Sequence, residues 1–266
     1  MLSYIYIHVP FCLTKCGYCS FYSEKFSLLA KRDYLDTLKQ EIVNYSAEYK
    51  LSPKTIYFGG GTPSLLSPSE LAEILSWFNC DLTGVEITLE TNPITITSKY
   101  VEELAKTDVN RVSLGIQSYI DKDLHYLGRK HKQSTIKSYI TLLRDGGFTN
   151  ISGDLMYGLP NQTLSDLETV LDRYLDLDLD HISIYCLSLD EDVPLYKDIK
   201  QLPDDDTIAE MYSKITTKLQ AGGLRQYEIS NFSKEGKESA HNLAYWLQKD
   251  YLGLGAGAFG TIGNVR

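Results

Sequence analysis

Cys12, Cys16 and Cys19 fall in the run YIHVPFCLTKCGYCSF, residues 6–21, at a spacing of C-x3-C-x2-C. Three soft thiolates on one short loop can ligate three irons of a cubane cluster and leave the fourth iron without a protein ligand. That open iron is a place where a small molecule could chelate. Zinc also takes thiolates, but a structural zinc site wants four ligands, and no second Cys/His pair follows nearby. The donor count therefore points to an iron–sulfur cluster. Cys80 and Cys186 stand alone in sequence and read as buried thiols.

Other polar residues recur where short apolar runs end. Gly59-Gly60-Gly61-Thr62-Pro63-Ser64 can bring backbone N–H groups close to a carboxylate, which an ordinary tight turn would not need three glycines to do. Glu90, in LETNP, could bind a ribose hydroxyl or an ammonium group. Gln117 ends GIQ, Arg129 follows in LGRKH, and Asp154 interrupts the apolar ISGDLMY. An inward-pointing Asp needs a partner, and Arg129 is the candidate. Among the histidines, His8 alternates with Tyr4 and Tyr6 and faces either a core or a pocket. His125 and His131 lie in polar surroundings and read as surface residues, and His181 has no partner nearby in sequence. His241 in HNLAYW has two readings: an axial haem ligand with aromatic neighbours, or part of an aromatic core. GAGAFG at 255–260 matches G-x-G-x-x-G but lacks the following helix and acidic residue of a dinucleotide site.

These groups need a scaffold. Apolar runs at Tyr4–Val9, Thr55–Gly59, Val85–Leu89, Arg111–Gly115, Ile151–Met156 and His181–Leu187 read as strands. Amphipathic segments between them, near 31–45, 68–78, 99–107, 133–146 and 164–175, read as helices, with start signals at Ser67-Pro68-Ser69-Glu70 and Thr97-Ser98. Strand and helix alternating in this way predict an α/β protein with a parallel sheet and right-handed crossovers. Six units in about 190 residues, with motifs following the strands, predict an open, partial (β/α)6 TIM-like barrel over 1–189. Residues 190–266 read as a C-terminal α+β extension: an acidic loop at 190–203, a helix at 204–222, then a Gly- and aromatic-rich tail. That extension looks incomplete, with little to cover the barrel mouth.

The composition is that of a globular protein, 43% hydrophobic and 23% charged. A net charge of −9 disfavours nonspecific binding to nucleic acid or anionic lipid. The cysteines are too few and too scattered for a disulfide framework, which suits a reducing compartment. With no signal-peptide pattern and no membrane-spanning run, a cytoplasmic location is expected.

YIHVPFC-x3-C-x2-C, GGGTPS, LETNP, RVSLGIQS, LGRKH, GDLMYGLPNQT, RQYEISNF, HNLAYW and DYLGLGAGAFG occur in that order along the chain. Together they resemble the branch of radical S-adenosylmethionine proteins that contains oxygen-independent coproporphyrinogen III dehydrogenase and a group of haem chaperones. The resemblance implies a 4Fe–4S cluster on the three cysteines, with S-adenosylmethionine at its open iron. By the same resemblance Tyr6, Gly60 and Glu90 contact that molecule, with Phe259 near it. Tyr18, Gly61, Thr62, Gln117, Arg129 and Asp154 match a second S-adenosylmethionine site of the dehydrogenase type, and Ser188 falls at a position where the residue type differs. The dehydrogenase carries a further Cys two residues after the third and an N-terminal extension. Here Phe21 holds the first position, and the chain enters its first strand almost at once. The resemblance is thus to the chaperones. It implies haem as ligand, with His241 as candidate ligand residue, transfer to an acceptor apoprotein, and an electron donor for the cluster. The alternative is radical-based decarboxylation in porphyrin biosynthesis.

Overall fold

The computed structural model describes residues 1–266. The chain runs β1 (Leu2–Val9), β2 (Phe11–Cys12), β3 (Glu24–Lys25), α1 (Leu28–Glu48), β4 (Leu51–Gly60), α2 (Pro68–Ser76), β5 (Glu86–Thr91), α3 (Ser98–Leu104) and β6 (Arg111–Gln117). It continues with α4 (Asp121–Tyr126), α5 (Gln133–Asp145), β7 (Ile151–Tyr157), α6 (Leu164–Leu175), β8 (His181–Cys186), α7 (Asp205–Ala221), β9 (Arg225–Gln226), β10 (Asn231–Ser233), α8 (Ala240–Trp246) and β11 (Leu252–Leu254). All six expected strands and all five expected helices of the barrel are present. The short α4 had no readable period, and Pro194–Gln201 forms a 3-10 helix where a loop was expected.

Nine strands make one sheet in the order β11-β1-β4-β5-β6-β7-β8-β10-β9, and β2 pairs separately with β3. Neighbours from β11 through β8 are parallel, and β10 pairs antiparallel with both β8 and β9. The sheet ends at β11 and β9 instead of closing, so the barrel is open as expected. Alternation along the strands sorts the two faces. Ile5, Ile7, Ile56, Phe58, Ile87, Leu89, Val112, Leu114, Ile182 and Ile184 belong to a single buried apolar cluster with the helices. Their neighbours Tyr6, Tyr57, Glu90, Arg111, Ser113, Asp154, Ser183 and Tyr185 line interior cavities.

Helix starts are specified locally. Ser67 and Glu70 form a reciprocal capping box at α2, and Thr163 with Asp166 does the same at α6. Thr97 caps α3 through the Tyr100 N–H. At α8 the Glu86 carboxylate, from the start of β5, accepts the N–H groups of Ala240 (2.9 Å) and His241 (3.0 Å).

Residues 190–266 do not form a unit of their own. Met211, Ile215, Leu219, Phe232, Leu252 and Leu254 all join the main core, and β10 and β11 extend opposite edges of the sheet. The division at 189/190 marks a change of connectivity within one core. Phe232 is fully buried, so Phe232→Ala should cost about 3–5 kcal/mol of global stability in urea titrations. Fluorescence and circular dichroism should still report a single transition. Two separate transitions in wild type would contradict the shared core.

Candidate functional site

The cysteine loop leaves β1 at the C-terminal end of the sheet and is held on both flanks. Below it, β2 and β3 pair Phe11 with Glu24 and Cys12 with Lys25. At its end, His8 Nε2 donates to the Tyr22 carbonyl (2.9 Å), which leaves Nδ1 to accept from the Tyr6 hydroxyl (3.1 Å). The second element of the site, the glycine run ending β4, comes close enough that a Cβ on Gly61 would lie 2.6 Å from the Phe11 carbonyl oxygen. Gly60 has φ +106°, and a Cβ there would lie 2.6 Å from the His8 ring. The glycines therefore let β4 meet the cysteine loop and the buried face of β1, as well as exposing backbone to a ligand.

Two side chains reach the sulfurs. Thr62 Oγ1 donates to Cys12 Sγ at 3.7 Å, and Arg129 Nη1 donates to Cys16 Sγ at 3.7 Å. Arg129 Nη2 donates to the Gly115 carbonyl at 2.6 Å; a Cβ on Gly115 would lie 2.9 Å from that nitrogen. The Leu195 N–H donates to the Gly17 carbonyl (3.0 Å), tying the loop to the 3-10 helix of the extension. Burial pushes the Cys19 thiol up, and the neighbouring sulfurs add to the effect, so a cation is needed to hold Cys19 as a thiolate. No three His, Cys, Asp or Glu side chains converge on a single metal ion. A cubane, with an iron at each of separate corners, accepts sulfurs too far apart for one zinc.

Under the loop lies a cavity of 380 Å³. Cys12, Cys16, Cys19, Tyr18, Gly60, Gly61, Thr62, Glu90, Gln117, Arg129, Asp154 and Ser188 all line it, so twelve of the fifteen residues singled out from sequence meet in one place. Glu90 accepts the Tyr57 hydroxyl at 2.7 Å, and burial raises its carboxyl to about 7. Asp154 accepts from Ser113 Oγ at 3.2 Å, and burial raises it to about 6. Both carboxyls lack a cation in contact, which makes the cavity receptive to a positively charged ligand. Gln117 holds φ +73° where the β6–β7 register slips, a strained turn of backbone at the cavity wall.

The structure also shows where the remaining residues lie. Arg129 feels the charge of Asp154 but forms no ion pair with it; its hydrogen bonds go to Cys16 and Gly115. Tyr6 and His241 line a second chamber deeper in the barrel, and Phe259 lies exposed outside both cavities with Arg266 over its ring. His241 is buried with Nδ1 on Thr55 Oγ1 (2.7 Å) and Nε2 on the Tyr245 hydroxyl (2.7 Å), so neither nitrogen is open to iron in this conformation. Burial also lowers its pKa to about 3. His131 is buried against the Ile116 carbonyl, not exposed, and His181 has two partners, Ser152 and Tyr227. Cys80 and Cys186 are exposed, not buried, and Cys186 lines the cofactor cavity from the end of β8. Phe21 and Lys15 also line that cavity, and sequence assigned neither a contact there.

A family profile described as the Radical SAM superfamily matches residues 6–174. The chain belongs to that superfamily. Heme chaperone HemW of Bacillus subtilis (strain 168) is 40% identical over 272 residues, covering 98% of this chain and 71% of the relative. Heme chaperone HemW of Escherichia coli (strain K12) is 35% identical over 263 residues, covering 97% and 70%. Within the radical SAM superfamily, then, the chain belongs to the HemW family. The solved structure of coproporphyrinogen III oxidase (HemN) from Escherichia coli superposes with a TM-score of 0.86 at 24% identity, over 99% of this chain and 65% of that one. That likeness establishes a shared fold.

A radical SAM protein carries a 4Fe–4S cluster and S-adenosylmethionine, and the residues here fit both. Three free thiols share one loop, the half-buried Cys19 needs a cation to stand as a thiolate, and the two carboxyls of the cavity beneath would suit a positively charged ligand. Glu90 gives a measurable handle. Its unfolded carboxyl titrates near 4.5 and its folded one near 7, so the stability this proton confers is complete below about pH 4.5 and lost as pH rises towards 7. Glu90→Gln should therefore gain stability relative to wild type between pH 5 and pH 8, by about 1–3 kcal/mol in urea titrations. An unchanged difference across that range would mean that Glu90 titrates normally.

Proposed function

We propose that this protein is a haem chaperone that holds a 4Fe–4S cluster and S-adenosylmethionine at the barrel mouth, binds haem, and passes it to an acceptor apoprotein. The observation that carries the reading is identity of 33–40% over 97–98% of the chain to bacterial relatives named heme chaperone HemW. Phe21, at the cavity rim where the dehydrogenase type has a further cysteine, supports it. Cys12, Cys16 and Cys19 would hold the cluster, and Glu90 and Asp154 would set the charge around S-adenosylmethionine. When bound, these groups supply one-electron chemistry fed by a donor protein. Thr62 and Arg129 donate to the sulfurs of Cys12 and Cys16 and fix their orientation towards the cavity. Cluster thiolates persist in a reducing compartment, so we place the protein in the cytoplasm; no helix is long and apolar enough to cross a membrane.

Haem iron would need a ligand that this conformation can release. His241 Nε2 is one bond from that state. Tyr245 and Trp246 beside it are partly exposed, and rotation of Tyr245 would uncover the nitrogen. Tyr245→Phe removes the competing hydroxyl and should tighten haem binding several-fold in absorbance titrations. His241→Ala should weaken it by at least tenfold. Unchanged affinity in both variants would remove His241 as the ligand.

One observation favours the decarboxylating alternative. Gln117, Arg129 and Asp154, which match the dehydrogenase's second S-adenosylmethionine site, are all on the cavity wall. Anaerobically reconstituted protein separates the two readings. Stoichiometric haem binding without loss of carbon dioxide from coproporphyrinogen is the expected result, and turnover to protoporphyrinogen would overturn the chaperone reading.

A further inference from the structure

Deeper in the barrel than the cofactor cavity lies a second chamber of 190 Å³, with Glu90 and Tyr185 lining both. Its walls are polar, and nearly every group on them is already engaged. His181 bonds to Ser152 and Tyr227, His241 to Thr55 and Tyr245, and Glu90 to Tyr57. Burial holds both imidazoles neutral at physiological pH.

Arg111 is different. It opens β6, is 2% exposed and lines the chamber, yet it takes part in none of the molecule's ion pairs. Its Nε has no hydrogen-bond partner. Thr88, its register partner on β5, is fully buried, and its Oγ1 is also unpaired. Two donors on paired strands are thus left over, and that of Arg111, a cation, lies on the chamber wall. Buried cations are retained when something pairs with them. The nearby carboxyls, Glu90 and Asp154, feel the charge of Arg111 but form no ion pair with it, and their side-chain hydrogen bonds come from Tyr57 and Ser113.

We propose that the chamber is a binding site for a free, small monocarboxylate, of formate to acetate size, held by the Arg111 guanidinium. The planar fork of Arg111 matches a carboxylate bidentately. A volume of 190 Å³ corresponds to about six waters at ~30 Å³ each, which admits such an anion and excludes a porphyrin. The site is independent of the chaperone reading, because it needs neither the cluster nor haem.

The test uses the full chain at fixed pH and ionic strength, with sodium formate, acetate, chloride or gluconate as the salt. Formate and acetate should raise the unfolding temperature by about 2–4 °C over chloride, while gluconate, too bulky for the chamber, should not. Arg111→Met should lose the increment. If that variant fails to fold, crystals of wild type grown in formate decide the matter: a formate seated on Arg111 supports the proposal. Ordered water alone at Arg111, a halide there with no response to formate, or an equal effect of gluconate would each overturn it. Displacement of acetate by S-adenosylmethionine would also overturn it, by making the chamber part of the cofactor site.

Discussion

The six central strands are buried on both faces, and the two faces meet that constraint in opposite ways. Outward residues are aliphatic and pack against helices, where burial is favourable without partners. Inward residues are tyrosine, histidine, serine, glutamate, aspartate and arginine, and each of these must find a hydrogen bond or a ligand inside the barrel. A closed TIM barrel fills its interior with branched apolar side chains. Here the interior is left partly hollow and polar, and the two cavities are bounded by wall groups most of which have satisfied one another.

The cysteine loop depends on that polar interior. His8 reaches from inside the barrel to the end of the loop, and Arg129 links Cys16 to the Gly115 carbonyl. Both links pass through places where a side chain is missing: Gly60 leaves room for the His8 ring, and Gly115 for the guanidinium. The glycines and the polar groups are therefore one arrangement. Adding a methyl group at either glycine moves the group that positions a sulfur.

Much of this was legible in the sequence, and what was legible was local. β7 and β8 begin where the apolar runs begin, at Ile151 and His181, and α6 spans the 164–175 expected from its period. The cysteine spacing and the residues at strand ends converged on one cavity because parallel strands all deliver their C-terminal ends to the same face. What could not be read depends on distance along the chain. His241 meets Thr55 across 186 residues, so no pattern around HNLAYW could reveal that its nitrogens are occupied. His131 is buried by the carbonyl at the end of β6, amid charged neighbours in sequence that suggest a surface. Cys186 is exposed because β8 ends at the open side of the barrel, where no further βα unit covers it. Arg111 begins an apolar strand, and only the assembled wall shows that it has no partner.

The pairing of Ile5 with Leu252 has a consequence in time. β1 carries the cysteine loop at its end, yet one edge of β1 stays unpaired until β11 has been made, nearly the whole chain later. The Gly17 carbonyl waits similarly for Leu195. Contacts of such long sequence separation form late. The β2–β3 pair, the His8 bond to Tyr22 and the Thr62 bond to Cys12 lie within the first 62 residues, so the thiols gain one set of supports early and the Arg129 and Leu195 supports only later.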